Sequence, residues 1–379
     1  MITRSRQVAL ALTVLLTAGA ACQARDNEAQ GRPGPAAGAF TLVASGGVLP
    51  HDSIIERALF DGGGAGHDFR PMLAGVEPVV SRADLALCHL ETVTGADGDY
   101  SGAALLKSPP QLADGLAATG YDGCSTASDH SLDDGVDGIH RTLAALDRAG
   151  MRHAGTARIA AERTAAVLPA GPAAQVAHLS YTYGTNGRPL PQGQPWAVNL
   201  IDEKKIVADA RAAREAGAEV VVVSVHWGTE WQEKPDARQL ALAERLTAAA
   251  TGGRPDIDLI LGTHARVPQA YEKVNGTWVV YGTGDQIAGV TTDARGRQDP
   301  RGSQSTIGRF TFSPPGRPGG RWRVTKAEFV PQLFDVDAGR VVNLNRALEQ
   351  GADVRGVRDR IRDVVLSRGA AKDGLVMGK

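Results

Sequence analysis

Five separated stretches of this 379-residue chain carry histidine and carboxylate at the ends of short apolar runs. They are Cys88-His89-Leu90-Glu91-Thr92, Thr126-Ala127-Ser128-Asp129-His130 with Asp133 and Asp134 just beyond, His226-Trp227-Gly228-Thr229-Glu230, Thr263-His264-Ala265-Arg266, and Gly282-Thr283-Gly284-Asp285-Gln286. Imidazole nitrogen with carboxylate oxygen suits zinc, manganese or iron, and residue types alone do not choose among these metals. No Cys-x-x-Cys pair occurs, which argues against a structural zinc site. Taken singly, each cluster has a plainer reading. A histidine after a strand is more often a satisfied polar group, Asp129 and Asp134 suit turns, and Trp227 suits packing. Repetition at several strand ends is what points to a site. The candidate metal ligands are His89, Glu91, Asp129, His130, His226, His264 and Asp285. His130, His226, Glu230 and His264 are the candidate catalytic groups, and Arg266 and Trp227 the candidate substrate contacts.

Such residues act together only if the fold brings the ends of the runs to one edge. From residue 40 to 290 apolar runs alternate with helical patterns, predicting strands over 40–45, 84–90, 121–126, 173–180, 219–226 and 257–263. Helices are predicted over 52–60, 109–119, 137–149, 202–216 and 236–250. The β-branched run Val220–Val223 reads as a strand buried on both faces. This alternation implies an α/β architecture with parallel strands, in which ligands bind at the carboxyl ends of the strands. After 265 the pattern changes. Asn275-Gly276 between two alternating runs predicts a hairpin, further strands follow 303, and a basic helix is expected over 356–367. The segment 291–304 reads as a mobile surface loop. The first strand is the odd one: Thr41-Leu42-Val43-Ala44-Ser45 breaks at Gly46-Gly47, where other strands carry chemistry, and reads as a strand-to-helix turn before Asp52.

Lysine plus arginine number 41 against 42 aspartate plus glutamate, with no long basic run, so the charge gives no argument for nucleic acid as a partner. Arg4 and Arg6 precede the apolar stretch 8–21, which ends in small residues at Cys22, the pattern of an export signal. The end "TAGAAC" is similar to a bacterial lipobox, which would make Cys22 a lipidation site, with simple secretion as the alternative. Residues 23–39 then form a Gly/Pro/Ala-rich tether. In an oxidising compartment Cys88 and Cys124, near the ends of successive predicted strands, are either a disulfide or two buried thiols.

The motifs together resemble the CapA, or poly-γ-glutamate capsule synthesis, family. The resemblance lies in "LVASGGVLPHD", "DLALCHLET", "GYDGCSTASDHSLDDG", "VVVVSVHWGTEW", "LILGTHARVPQ" and "VVYGTGDQ", in order over residues 40–290. It implies a calcineurin-like metallophosphoesterase fold, an α/β/β/α sandwich with a C-terminal antiparallel β portion. The organisation expected is a signal over 1–22, a tether over 23–39, the main domain over 40–345 and a C-terminal helix and tail over 346–379. The function implied is envelope polymer metabolism at the bacterial surface, as a metal-dependent hydrolase or as a non-catalytic binder of an anionic polymer; a secreted metallophosphoesterase acting on small phosphoesters is the third reading. A membrane-bound polymer synthase is the expected partner. The chain departs from the family pattern at Gly47, where an aspartate is usual, and at Arg266, where a histidine is usual. His89, Asp129 and Asp285 stand where asparagines are usual. Losing a carboxylate and gaining a cation weakens metal binding and favours one metal over a binuclear centre.

Overall fold

In a computed structural model of the chain the described residues are 38–171, 174–289, 295–317 and 320–379. The expected signal, Cys22 and nearly all of the expected tether lie outside them. The elements that position the site are β1 (Phe40–Leu49), α1 (Asp52–Asp61), β2 (Leu85–Leu90), α2 (Gln111–Thr119), β3 (Gly123–Ser125), α3 (Gly135–Arg148), β4 (Arg152–Ala154), β5 (Ala166–Ala170) and β6 (Ala174–Thr182). They continue with α4 (Glu203–Glu215), β7 (Val220–His226), α5 (Ala237–Ala248), β8 (Leu259–Thr263), β9 (Tyr271–Val274), β10 (Thr277–Val280) and β11 (Asp285–Ala288). Further along come β12 (Gln304–Ser313), β13 (Arg323–Asp335), β14 (Arg340–Asn343), α6 (Arg355–Val365) and β15 (Leu375–Met377), with shorter helices and strands between the elements given.

Two sheets result. The first runs β14-β13-β12-β1-β2-β3-β4, with β11 also pairing β1 and β15 also pairing β13. The second runs β9-β10-β8-β7-β6-β5. Because side chains alternate across a strand, each sheet feeds two cores. Leu42, Ala44, Leu85 and Leu87 from the first sheet meet Val220, Val222, Leu259 and Leu261 from the second in one apolar layer. On the other face of the first sheet, Val43, Ala86 and Cys88 pack on Ile54, Leu116, Leu143 and Leu146 of the helices. Val221, Val223 and Val225 pack likewise on Ile206, Ala210, Leu242 and Leu246. Helix, sheet, sheet and helix therefore stack in four layers, the α/β/β/α sandwich expected. Gly38–Lys379 forms one compact unit.

Two details differ from the expectations. β1 does not stop before Gly46-Gly47 but runs through both to Leu49. Its register against β2 slips between Ala44 and Gly47, and against β11 between Gly47 and Val48. The glycines thus form an irregularity inside a strand, and the backbone of Gly284 is the cause. Gly47 donates its N–H to the Gly284 carbonyl at 3.0 Å, and a Cβ on Gly46 would lie 1.9 Å from that oxygen. Asp285, in turn, does not end the hairpin's second strand. The chain leaves the second sheet after β10, and Asp285 opens β11 in the first sheet.

The hairpin forms as expected, with Asn275 and Gly276 both at positive φ, as a type I′ turn requires. The C-terminal antiparallel strands extend the first sheet. α6 places Ile361 and Val365 in the inter-sheet core, and β15 adds a parallel strand alongside Ala327–Phe329. Of the expected loop, residues 291–294 lie outside the described residues, while Pro300–Ser303 forms a 3₁₀ turn. No helix among the described residues is long and apolar enough to cross a membrane.

Cys88 and Cys124 face each other in register on β2 and β3 and are joined by a disulfide with Cα atoms 4.4 Å apart. Replacing both by alanine is expected to cost about 3–4 kcal/mol through restored loop entropy, seen as a lower urea midpoint than wild type. An unchanged midpoint would show that the strands need no clamp.

Candidate functional site

The strand ends converge as parallel pairing dictates. In the first sheet Gly47 lies opposite His89 on one side and Asp285 on the other, and His89 lies opposite Ser125. In the second, His226 lies opposite Thr182 and Thr263. Past these ends the chain turns sharply. His264, Arg266 and Trp231 all sit at positive φ, a backbone region uncommon for residues with a side chain and concentrated at functional sites. The two loops holding them are tied by Trp231 N–H to the Ala265 carbonyl at 2.9 Å. Beneath them α5 begins with Asp236 and Gln239 in a reciprocal cap. Gln239 packs so close to Gly228 that a Cβ there would lie 2.8 Å from its amide, and it donates to Gln269 at 2.8 Å.

Glu91, Asp129, His226 and His264 come together, all buried, each offering a donor atom within 4.8 Å of the others. His226 is the hub. Its Nε2 donates to Asp129 at 3.0 Å, and its Nδ1 lies 3.1 Å from the Thr263 hydroxyl and 3.0 Å from His89 Nε2. The Nδ1 of His89 meets the Ser125 hydroxyl at 2.8 Å. Both ring nitrogens of His89 are thereby engaged, and it positions His226 instead of joining the four. His130 holds Asp133 through Nδ1 at 2.7 Å and leaves Nε2 facing the cluster, 3.9 Å from Asp129.

Arg266 is largely enclosed among carboxylates. One terminal nitrogen lies 2.8 Å from Glu91 and 3.8 Å from Asp285, and Nε donates to Glu230 at 2.9 Å. The contact with Glu91 is close without the alignment of a hydrogen bond, so both Glu91 oxygens stay without a hydrogen-bond partner, as do Asp285 Oδ2 and His264 Nδ1. Glu230 sits at the rim, half-exposed. Trp227 is no open platform: its indole donates to the Tyr281 carbonyl at 2.9 Å and it is 3% exposed.

Two further residues belong to the site. Tyr183 follows β6, donates its hydroxyl to Asp129 at 3.1 Å and lays its ring 4.7 Å from that of His264. It stands where the strand-end rule would have looked next. His51, at the start of α1, accepts from Gly289 N–H at 2.9 Å and feels the charge of Arg266. Its apolar-turn context carried no signal of that.

Burial raises the Glu91 and Asp129 pKa values, but Arg266 and His226 outweigh it for Glu91, as the His226 hydrogen bond and charge do for Asp129, so both stay ionised well below the usual range. Asp285 goes the other way: burial, with Glu91 nearby, raises it against the pull of Arg266. Burial lowers His226, and it lowers His264 to about 4, with His226 and Arg266 adding to the second shift. For His130 burial is outweighed by Asp133 and Asp129, and its pKa is raised. The unpaired buried oxygens of Glu91 and the unpaired nitrogen of His264 fit a bound cation, since buried polar atoms otherwise find partners.

His51 yields a pH prediction. Burial and Arg266 lower its pKa to about 4, against about 6.5 in the unfolded chain. Between those values the unfolded chain binds the proton and the folded one does not, so this contribution to stability falls as pH drops from about 6.5 towards 4. Thermal melts in chelator should show His51→Gln with a shallower decline over that window than wild type. An equal slope would remove His51 from the site's electrostatics.

The chain matches known proteins over the same region. It is 28% identical over 216 residues to the "Probable polyglutamine synthesis accessory protein" of Mycobacterium tuberculosis, covering 54% of this chain and 55% of that protein. It is 25% identical over 185 residues to the capsule biosynthesis protein CapA of Bacillus anthracis, covering 48% and 44%. The chain thus spans about half the length of the curated relatives it matches. Among solved structures it is similar to the calcineurin-like phosphoesterase YfkN of Bacillus subtilis, at 12% identity and a TM-score of 0.43, covering 86% of this chain and 99% of that one; at that level the likeness carries no further argument. The model of the bacterial capsule synthesis protein family PGA_cap matches residues 41–290, and the chain belongs to that family.

Proposed function

We propose that this protein acts on an anionic cell-envelope polymer of the polyglutamate class, with the buried cluster serving as a metal-dependent hydrolytic centre. An envelope polymer is supported by the family description and by the relatives' names, which give capsule biosynthesis and polyglutamine synthesis, and the polyglutamate class by the motif resemblance. The observation that carries the hydrolytic reading is the Glu91–Asp129–His226–His264 group, with carboxylate oxygens and an imidazole nitrogen buried and unpaired. These four residues would hold a divalent cation, which supplies Lewis-acid polarisation of a substrate carbonyl or phosphoryl oxygen. His130 is built to move a proton at Nε2: Asp133 fixes the ring through Nδ1 and raises its basicity. Tyr183, half-exposed, stands at the mouth with its hydroxyl on Asp129. Beside it a cavity of about 530 Å³ lined by Tyr183, Gly228, Thr229 and Arg238 gives a chain-like substrate room and a cation.

The rival reading, a non-catalytic polymer binder anchored on Arg266, loses its anchor because that guanidinium is taken by Glu91 and Glu230. A small phosphoester is the alternative substrate for the same centre. Surface placement through lipid on Cys22, beside a membrane-bound polymer synthase, completes the proposal and is supported by the lipobox-like end and the tether.

Two measurements test it. Glu91→Gln is expected to abolish uptake of manganese or zinc, while His130→Gln keeps the metal and slows hydrolysis by roughly 10²–10⁴-fold. Polyglutamate and a generic phosphodiester are assayed side by side. Bound metal with no turnover of either would end the hydrolytic reading. In cells, Cys22→Ala is expected to move the protein from the membrane to the soluble fraction, and unchanged fractionation would sink the lipid anchor.

A further inference from the structure

The site gathers several carboxylates around a single guanidinium. Glu91, Asp129 and Asp285 are buried carboxylates, and Arg266, its side chain 12% exposed, is the guanidinium among them. Glu230 is half in solvent and largely screened. A carboxylate taken out of water needs a cation or hydrogen-bond donors around it.

The geometry divides the site in two about Glu91. On one side Glu91 joins Asp129, His226 and His264 within 4.8 Å. On the other its Oε1 meets Arg266 at 2.8 Å, and the same guanidinium faces Glu230 and Asp285. Arg266 thus stands in a carboxylate-lined position directly beside the cation pocket and shares a carboxylate with it. Gly47 makes this arrangement fit. A Cβ on Gly47 would lie 2.7 Å from Asp285 Oδ1 and 3.2 Å from Glu91 Oε2, so the space next to Gly47 is taken by the carboxylate that its register partner Asp285 projects. The missing side chain on β1 and the carboxylate on β11 are two aspects of one packing solution.

We propose that the Arg266 guanidinium is the second cation of this site: it fills the position beside Glu91 and Asp285 where another divalent ion would sit, and the chain takes one divalent ion instead of two. This rests on the metal-dependent reading above and adds a stoichiometry to it. Arginine cannot lose its proton in this setting, so the second charge is permanent and does not depend on metal supply.

The experiment is manganese titration of the full chain followed by electron paramagnetic resonance. Wild type is expected to bind one ion per chain with an uncoupled six-line spectrum. Arg266→His, which removes the charge and adds a nitrogen donor, is expected to bind two, with the coupled spectrum of ions about 3.5–4 Å apart. Arg266→Lys, which keeps the charge, should stay at one. Two ions or none in the wild type, or one in the His variant, would overturn the proposal. Should the His variant not fold, the wild-type count and spectrum decide alone. One uncoupled ion with no hydrolysis of polymer or phosphoester would end the functional reading and leave this assignment standing.

Discussion

The carboxylate of Glu91 is fully buried, ionised and without a hydrogen-bond partner on either oxygen. A charge in that state is untenable unless cations surround it. Arg266 stands at 2.8 Å, and the four-residue cluster offers donor atoms where a further cation could be held. The strained loop that carries His264 and Arg266 at positive φ delivers these responses to Glu91 on adjacent turns of chain. Such strain persists when the surroundings over-determine it, and the Trp231–Ala265 hydrogen bond and the Gln239–Gln269 pair do so.

Around this carboxylate the sandwich acts as a positioning frame. Each sheet delivers part of the cluster: Glu91 and Asp129 from the first, His226 and His264 from the second. Their mutual distances therefore depend on how the two sheets pack through Leu42, Leu87, Val222 and Leu261. Ser125, His89 and His226 form a hydrogen-bonded line that crosses from one sheet to the other and ends on Asp129. The disulfide between Cys88 and Cys124 clamps the residues that immediately precede His89 and Ser125. Stability and site geometry are thus held by the same few strand ends.

Much of the fold was legible because parallel α/β units write themselves as apolar runs and amphipathic helices, and all six strands and five helices expected before residue 265 form within a few residues of their expected limits. The strand-end rule found Glu91, Asp129, His226 and His264 for the same reason. It could not separate the residues that cluster from those that support them. His89 and His226 look alike in sequence, yet His89 spends its nitrogens on Ser125 and His226, while His226 turns Nε2 onto Asp129 within the cluster. Trp227 and Tyr183 are each an aromatic residue just past a strand, and only packing turned the first inwards to Tyr281 and left the second at the mouth.

By itself the sequence determined the alternation of strands and helices, the edge at which chemistry would gather and the residue types there, since these follow from periodicity and chain order, while the four-layer stacking was implied by the family resemblance. It also showed that glycine stands at 47 and arginine at 266. The meaning of those two residues was a tertiary matter. Gly47 and Asp285 are 238 residues apart in number yet neighbours in register, and the approach of Gly284 to Gly46 allows no side chain on β1 at that point. Whether a glycine marks an empty place or makes room for a neighbour's carboxylate depends on which strand lies beside it, and only the pairing of β11 with β1 decides that.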